Sequence, residues 1–182
     1  MKVELNKYNN NWYQPGGNVL KRLLWYFINT IFINSYLIPY SPLKVFILKS
    51  FGANIGKRVN IKPKVNIKYP WKLSVGDYSW IGEEVWIDNL DDIIIGKNCC
   101  ISQGALLFCG NHNFKTNTFD LITKPITLKD GAWIGAKSVV CPGVIMEKNS
   151  ILTVNSVATT NLDFNSIYQG NPAIKIKDRI TE

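Results

Sequence analysis

The chain has 182 residues, of which 46% are hydrophobic and 19% are charged. That length suits one domain with a short extension, and the hydrophobic content predicts a folded protein and excludes a disordered one. The formal net charge is +8 at pH 7, and only three of the 21 basic residues are Arg. A basic surface suits an anionic partner, but the sequence has no zinc-finger spacing, RNA-binding signature or Arg-rich arm. Nucleic acid is therefore not expected as a partner.

Cysteine and histidine usage limits the metal chemistry. The cysteines are Cys99, Cys100, Cys109 and Cys141, and the single histidine is His112. No C-x-x-C pair occurs, so neither a zinc site nor a disulfide framework is predicted, and one histidine excludes a His-rich metal site. No metal is expected as a cofactor. Free thiols are typical of a reducing cytoplasm, which is the predicted location.

The N-terminal region predicts two helices after a polar start that does not resemble a signal peptide. The first helix covers about residues 18–36 and is apolar nearly all round, which favours burial on more than one side. Its apolar stretch, residues 23–40, contains Asn, Thr, Ser and Pro, so a helix packed on the protein is favoured over one lying at a membrane surface. The second helix is predicted from Ser41, as N-cap, to Phe51 and Gly52, where Gly acts as a C-terminal cap.

After Gly52, aliphatic residues recur at every sixth position. The runs, in steps of six, are Ile55 to Leu73, Val75 to Ile93, Ile95 to Leu107, and Leu128 to Ala158. A period of six does not fit an α-helix, but it is even and therefore keeps every anchor on one side of a β-strand. Three six-residue sides make a triangular coil, and stacked coils make a parallel β-helix. A β-sandwich has no reason to keep this phase.

Three details of the repeat carry structural predictions. Small residues often precede an anchor by two positions and are expected to face the same interior. Gly often follows an anchor, as in Ile134-Gly135, where a corner is expected to need permissive backbone. The two-residue steps from Leu73 to Val75 and from Ile93 to Ile95 are interpreted as corner bulges.

The predicted organisation has three segments. Residues 1–51 form an N-terminal segment with two helices, residues 52–162 form the β-helix, and residues 163–182 form a C-terminal tail. One polar loop, residues 109–125, interrupts the repeat and contains His112. Long loops in compact folds are usually functional, so this loop is the predicted site.

The chain resembles the hexapeptide-repeat acyltransferases, and within them the enzymes of colanic acid and capsular-polysaccharide biosynthesis. The resemblance covers about residues 51–177 and rests on several segments: Phe51-Gly-Ala-Asn-Ile-Gly56, Pro70-Trp-Lys-Leu-Ser-Val-Gly-Asp-Tyr-Ser79, Ile101-Ser-Gln-Gly-Ala105, Gly110-Asn-His112, Leu121-Ile-Thr-Lys-Pro125, Asp130-Gly-Ala-Trp-Ile-Gly135, Pro142-Gly-Val144 and Gly170-Asn-Pro-Ala173. The hexapeptide pattern specifies the fold, whereas the Gly-Asn-His loop and the Asn-Pro-Ala tail make the acetyltransferase interpretation more specific.

This resemblance implies a left-handed parallel β-helix, a homotrimer, and active sites between neighbouring coils. It also implies acetyl transfer from acetyl-CoA to a sugar hydroxyl without a covalent enzyme intermediate. His112 is the implied general base, because imidazole is largely neutral and basic at cellular pH. Backbone amides or a nearby side chain are expected to stabilise the oxyanion.

The resemblance also suggests substrate-binding residues, each with a structural alternative. Asp88 and Asn89 are candidate acceptor-binding residues, or Asp88 orients His112, or both are ordinary corner residues. Asn111 binds the acceptor or only shapes the loop. The predicted cofactor-binding residues are Trp133, Ala136, Val154, Thr159, Lys175 and Lys177; the two lysines are candidate phosphate contacts or solvated charges. Tyr78, Trp80 and Trp86 are candidates for sugar stacking or for subunit contacts.

Two other functions are compatible with parts of this sequence. A non-catalytic β-helix scaffold would keep the repeats without needing the His112 loop, and an acetyltransferase with a non-sugar acceptor would share the same machinery. A carbonic anhydrase of this fold would need three zinc-binding histidines. The apolar N-terminal helices and the positive charge would suit peripheral association with the inner face of the membrane.

Overall fold

The computed structural model describes residues 2–180, most of which form a coil of short β-strands. Two helices precede the coil: α1 (Val19–Ile28), which continues as a π-helical turn over Asn29–Ile33, and α2 (Ser41–Ser50). Short 3-10 turns cover Leu5–Lys7 and Pro70–Lys72.

Nineteen strands follow in the described residues. The first three coils contain β1 (Asn54–Ile55), β2 (Asn60–Ile61), β3 (Asn66–Ile67), β4 (Leu73–Val75), β5 (Trp80–Ile81), β6 (Trp86–Asp88), β7 (Ile93–Ile95), β8 (Cys100–Ile101) and β9 (Leu106–Phe108). A hairpin, β10 (Gly110–His112) and β11 (Leu121–Thr123), comes next. The chain ends with β12 (Ile126–Leu128), β13 (Trp133–Ile134), β14 (Val139–Val140), β15 (Ile145–Met146), β16 (Ile151–Leu152), β17 (Val157–Ala158), β18 (Ser166–Gly170) and β19 (Ala173–Asp178).

Successive coils pair in parallel and form three faces. The first face has the order β1-β4-β7-β12-β15, the second β2-β5-β8-β13-β16-β18-β19, and the third β3-β6-β9-β14-β17. We name the turn from the first to the second face the first corner, the turn from the second to the third face the second corner, and the turn into the next coil the third corner. This pairing confirms the predicted parallel β-helix.

The sixth-position aliphatic residues form the interior. On the second face, Ile61, Ile81, Ile101, Ile134 and Leu152 stack with no more than 1% of each exposed. The small residues two positions earlier are buried with them, as predicted; they include Ala132, Ser138, Ser150 and Ser156. Because burial of one such aliphatic side chain contributes about 1.5–3 kcal/mol, these stacks are a major source of stability.

The corner glycines have a different role from the predicted one. Gly135 does not adopt a positive φ, but a Cβ added to it would lie 2.5 Å from the backbone nitrogen of Val154 in the next coil. Left-handed backbone occurs two residues after such glycines, at Glu84 (φ 58°) and Lys137 (φ 56°). The expectation of permissive backbone at Gly135 is therefore wrong: Gly is required there because successive coils stack closely.

The prediction of bulges between Leu73 and Val75 and between Ile93 and Ile95 is also wrong. Leu73 and Val75 are both buried ends of strand β4, and strand β7 has the same pattern. The extra residues lie earlier, at the third corner. The segments that lengthen this corner in successive coils are 68–72, 89–92 and 109–125. The His112 segment is thus the largest of three insertions at one edge of the coil.

The N-terminal helices close the first coil. Trp25, Ile33 and Leu48 are buried and join the interior, and Trp25 Nε1 donates a hydrogen bond to the Ile67 carbonyl at 2.9 Å. The opposite side of α1 is exposed, so the prediction of burial on more than one side is wrong.

Ser41 is not the N-cap that the sequence predicted, because Tyr40 takes that position. The Ser41 hydroxyl instead accepts a hydrogen bond from the Ile61 amide at 2.8 Å and ties α2 to the first coil.

The C-terminal tail adds to the second face. Strand β18 pairs in parallel with β16, and β19 turns back against β18 in antiparallel pairing. The division of the chain at residues 51 and 162 stays a prediction. Within residues 2–180, no helix is both long and apolar enough to cross a membrane.

Candidate active site

The segment predicted as a polar loop folds as a β-hairpin at the third corner. Strands β10 and β11 pair in antiparallel register, with His112 opposite Leu121. At the tip, the backbone amide of Asn113 donates to the backbone carbonyl of Asp120 at 2.8 Å. The Thr118 hydroxyl donates to the Asp120 carboxylate at 2.7 Å. The hairpin therefore holds His112 in regular structure.

The imidazole of His112 is half-buried and has a defined orientation. Its Nδ1 lies 2.8 Å from the carbonyl oxygen of Phe119. A carbonyl oxygen only accepts hydrogen bonds, so Nδ1 must carry the proton, and in the neutral ring Nε2 keeps its lone pair. Phe119 also stacks on the imidazole, with ring centroids 4.4 Å apart and an interplanar angle of 6°. This arrangement presents Nε2 as a base.

Phe119 is a site residue that the sequence analysis missed. Its φ is 54°, a left-handed conformation that is uncommon for a bulky side chain. Such conformations concentrate at functional sites, where the surrounding structure maintains them. The available signal was weak: Phe119 is one of two aromatic residues in an otherwise polar loop, and the other, Phe114, is exposed.

The N-terminal segment lies against the hairpin, and this contact was also missed. The Glu4 amide donates to the Asn117 carbonyl at 2.8 Å, and the Asn117 side chain donates to the Glu4 carboxylate at 3.2 Å. The ring of Tyr8 lies 5.9 Å from the His112 ring between centroids. His112 therefore has an aromatic neighbour from each of two segments.

The predicted acceptor residues differ in their surroundings. Asp88 pairs with Lys68 at 2.8 Å, and the partner of His112 Nδ1 is a carbonyl, so Asp88 does not orient the imidazole. Asn89 is fully buried, and its side chain bonds both backbone polar groups of Tyr69, so its amide is not accessible to a substrate. The side-chain Oδ1 of Asn111 accepts a hydrogen bond from the His112 backbone amide at 2.8 Å, which favours the loop-shaping alternative for Asn111.

Asp88 nevertheless lies on the wall of a groove of about 580 Å³ between α1 and the third face. Trp86, Tyr26 and Tyr69 supply aromatic surface there, and Arg22 supplies a positive charge. The groove combines flat apolar surface with hydrogen-bonding side chains.

A second groove runs along the second face and the second corner. Trp133, Ala136 and Val154 line a section of about 520 Å³, in which the Trp133 indole donates to the Ser102 hydroxyl at 2.9 Å. An adjoining section of about 390 Å³ shares Trp133 and adds Lys177. The structure therefore brings together four of the six predicted cofactor-binding residues.

The other two predicted cofactor-binding residues lie outside this groove. Thr159 follows strand β17 at the third corner and does not line the groove, so its predicted cofactor contact is not supported within one chain. Lys175 pairs with Asp178 at 2.9 Å on the exposed tail, and this hydrogen bond raises the pKa of the Lys175 ammonium. His112 is also at a different edge from the groove, so one chain does not unite the two.

The cysteine thiols are poor nucleophiles in this fold. Burial raises the pKa of the Cys99 thiol to about 11 and that of Cys109, next to the hairpin, to about 12. Burial also raises the pKa values of Cys100 and Cys141. Thiolates, not thiols, are the reactive form, so none of the four is prepared to accept an acyl group at neutral pH. Residues 2–180 contain no group of three or more His, Cys, Asp or Glu side chains arranged to hold a metal ion.

Comparison with known proteins relates the chain to acetyltransferases. No protein-family model matches the sequence. The chain is 37% identical over 166 residues to the "Putative colanic acid biosynthesis acetyltransferase WcaF" of Escherichia coli K12, and the aligned segment covers 91% of each chain. It is 24% identical over 136 residues to the galactoside O-acetyltransferase of the same organism, which covers 72% of this chain and 66% of the relative.

Solved structures show the same fold. The hexapeptide-repeat acetyltransferase of Vibrio cholerae superimposes with a TM-score of 0.80 at 20% identity, over 89% of this chain and 92% of the other. That protein has also been solved in complex with acetyl-CoA. The repeat, the fold and the extended similarity to WcaF together establish that this chain belongs to the hexapeptide-repeat acetyltransferase family, with the colanic acid biosynthesis acetyltransferases among its relatives.

Proposed function

We propose that this protein is an O-acetyltransferase that moves the acetyl group of acetyl-CoA to a sugar hydroxyl in surface-polysaccharide biosynthesis, with His112 as general base. One observation carries the proposal: the Phe119 carbonyl holds the proton of His112 on Nδ1 and leaves Nε2 as a proton acceptor. The name of the relative WcaF supports the substrate class.

The transfer is a direct attack. Nε2 of His112 removes the proton of the acceptor hydroxyl as the hydroxyl oxygen bonds to the thioester carbonyl carbon. The tetrahedral oxyanion then collapses, the carbon–sulfur bond breaks, and the CoA thiolate takes the proton back from the imidazolium. An acetyl-cysteine intermediate is unnecessary, and the raised thiol pKa values disfavour it. An oxyanion of this kind needs a hydrogen-bond donor.

The second-face groove is the proposed binding site for acetyl-CoA. Its Trp133–Ala136–Val154 section offers a narrow, largely apolar channel that suits the pantetheine arm. Lys177 at its end, and Lys175 on the same strand, would meet phosphates as point charges. The acetyl-CoA complex of the Vibrio cholerae structure supports the same donor.

The sugar acceptor is assigned to the groove beside Asp88. Its aromatic rings suit the apolar face of a pyranose, and Asp88 and Asn66 suit hydroxyl groups. The groove and the hairpin share the third corner, so the acceptor would approach His112 along one edge of the coil.

A homotrimer would complete the site. His112 and the donor groove lie at different edges of one chain, so a neighbouring chain must bring its groove to the hairpin. The unpaired cysteines suit a reducing cytoplasm, where acetyl-CoA is available.

A mass-spectrometric acetylation screen with acetyl-CoA and a panel of glycans tests the proposal. His112→Ala should lower kcat about a hundredfold or more and leave acetyl-CoA binding by calorimetry unchanged. Phe114→Ala, an exposed change on the same hairpin, is the matched control and should transfer at the wild-type rate. Wild-type turnover in His112→Ala would refute the base. Acetylation of only non-sugar acceptors would refute the substrate class, and failure to bind acetyl-CoA would favour a scaffold.

A further inference from the structure

The outward side of the N-terminal helices is an apolar surface. On α1 and its π turn, seven large side chains are each more than half exposed: Val19, Leu20, Leu23, Leu24, Tyr26, Phe27 and Ile31. Leu37, Tyr40 and Phe46 extend the surface through the connection to α2. Single exposed apolar residues are ordinary, but a continuous set of this size marks an interaction site.

The charge of the same part of the chain is entirely positive. From Leu5 to Gly76 the sequence contains eleven basic residues and no acidic residue. From Asp77 to Glu182 it contains nine basic and twelve acidic residues. The net charge of +8 therefore arises from the part of the chain that contains the helices and the first coil.

Four of these cations are free to meet a ligand. Lys49 is on α2, Lys57 and Arg58 are at the first corner of the first coil, and Lys62 is at its second corner; all four are exposed. Among residues 2–180, none of the four has a carboxylate oxygen within 4.0 Å of its side-chain nitrogen atoms. Since α2 packs on this coil, through Ser41 and Ile61 for example, the cations lie around the end of the coil that the helices close. We name the ten exposed apolar residues and these four cations the basal surface.

We propose that the basal surface docks on a phospholipid leaflet that contains anionic lipids. Apolar side chains of a helix that lies in the membrane plane enter the acyl boundary, while Lys and Arg contact the head groups. A second copy of this chain is the less suitable occupant, because a symmetric contact would place the same cations against each other. Helix α1 and its π turn span 15 residues, fewer than the roughly 20 needed to cross a bilayer, so the contact is peripheral.

Flotation of the full-length protein with lipid vesicles tests this proposal independently of acetyl transfer. Wild-type protein should float with vesicles in which about a third of the lipid is phosphatidylglycerol, and only weakly with pure phosphatidylcholine. Each cation near such a surface strengthens binding about fivefold, so K49Q/K57Q/R58Q/K62Q should lose well over tenfold in affinity. L20S/L24S/F27S should lose binding as well, because it removes the inserted side chains.

A second quadruple variant provides the matched control. K97Q/K129Q/K137Q/K148Q removes the same charge from exposed corners of later coils, and one member in each set has left-handed backbone (Lys137 and Arg58). It should bind anionic vesicles within a few-fold of the wild type. Equal loss in both quadruple variants, or no flotation of the wild type, would overturn the proposal. Dissociation of an oligomer by L20S/L24S/F27S with unchanged flotation would show instead that a second copy covers the surface.

Discussion

The carbonyl oxygen of Phe119 and the Nδ1 atom of His112, 2.8 Å apart, determine which imidazole nitrogen can act as a base. Phe119 also stacks its ring on the imidazole and adopts a left-handed backbone conformation. One side chain and one peptide group thus control both the tautomer and the orientation of the only histidine in the chain.

Phe119→Gly tests whether Phe119 positions His112 or only stabilises the hairpin. Gly accepts the left-handed backbone but removes the stacked ring, so the imidazole should gain freedom. We expect kcat to fall about ten- to a hundredfold, since misplacement of a catalytic group by about 1 Å has effects of that size. Because there is one histidine, nitrogen NMR should detect both tautomers of His112 in the variant. Phe119→Tyr, which keeps the ring, should retain one tautomer and near wild-type kcat. A single tautomer in Phe119→Gly, which keeps the backbone carbonyl, would mean that the ring does not position the imidazole.

Deletion of residues 1–8 should loosen the hairpin. It removes the Glu4–Asn117 hydrogen bonds and the Tyr8 ring beside His112. Hydrogen exchange of the Asn113 amide and its neighbours should become at least several-fold faster, because local opening costs less free energy when tertiary contacts are lost. Lys7→Ala, which breaks only the exposed ion pair with Glu4, should leave exchange unchanged. Unchanged exchange in the deletion would mean that the hairpin is stable by itself.

Trp86→Ala should weaken acceptor binding selectively. The indole is 47% exposed on the wall of the proposed acceptor groove, and we expect its contact with a sugar face to contribute as much as a pair of aromatic rings does, about 0.5–1.5 kcal/mol. The KM for the acceptor should rise about three- to tenfold and the KM for acetyl-CoA should not change. Trp80→Ala is the comparison, because Trp80 is similarly exposed but belongs to the second face. A larger rise in the acceptor KM for Trp80→Ala than for Trp86→Ala would indicate that the acceptor binds on the second face.

The coil could be predicted from the sequence because its period is set by backbone geometry that every turn repeats. Ile81, Ile101 and Ile134 had to face one interior whatever the details of the corners. His112 could be identified because it lies in the largest break of that period. The contribution of Phe119 could not be predicted from the sequence, because it comes from a backbone carbonyl and depends on the register of a hairpin.

Residue type was a weaker guide at the corners. Asn89 is polar and was expected at an accessible site, yet its amide is buried and serves the Tyr69 backbone. Gly135 was expected to relieve a backbone strain that occurs instead at Lys137. In both cases the contact that decides the role of the residue is made with the adjacent coil, whose residues lie about one coil length away in the sequence.

Gly135→Ala should destabilise the coil. The added Cβ would lie 2.5 Å from the Val154 nitrogen and 2.7 Å from the Thr153 carbonyl carbon, and backbone atoms of a stacked coil cannot move aside cheaply. We expect a loss of about 1–3 kcal/mol in the free energy of unfolding, as for other overpacked interiors. Gly110→Ala is the control, because the nearest atom to its Cβ is the flexible end of the Leu90 side chain. Equal losses in denaturant titrations of the two variants would contradict this explanation.

Lys44 is a buried cation without a carboxylate partner among residues 2–180, and its removal should stabilise the protein. Its ammonium is inaccessible to solvent and donates one hydrogen bond, to the Lys62 carbonyl at 2.8 Å. Burial lowers the pKa of Lys44 below the value of 10.5 for a free lysine. Between these two pKa values the unfolded chain binds more protons than the folded one, so the stability of the wild type rises with pH across that interval.

Lys44→Met lacks this dependence while filling a similar volume. Its gain over the wild type should therefore be largest below the lowered pKa of folded Lys44 and shrink as pH approaches 10.5. We expect about 1–3 kcal/mol at pH 7, because a buried charge with a single hydrogen bond is poorly compensated. Lys49→Met, on the exposed side of the same helix, should change stability little at any pH. Thermal unfolding across this pH range measures both variants, and a lower unfolding temperature for Lys44→Met at pH 7 would mean that the Lys62 hydrogen bond outweighs the cost of burying the charge.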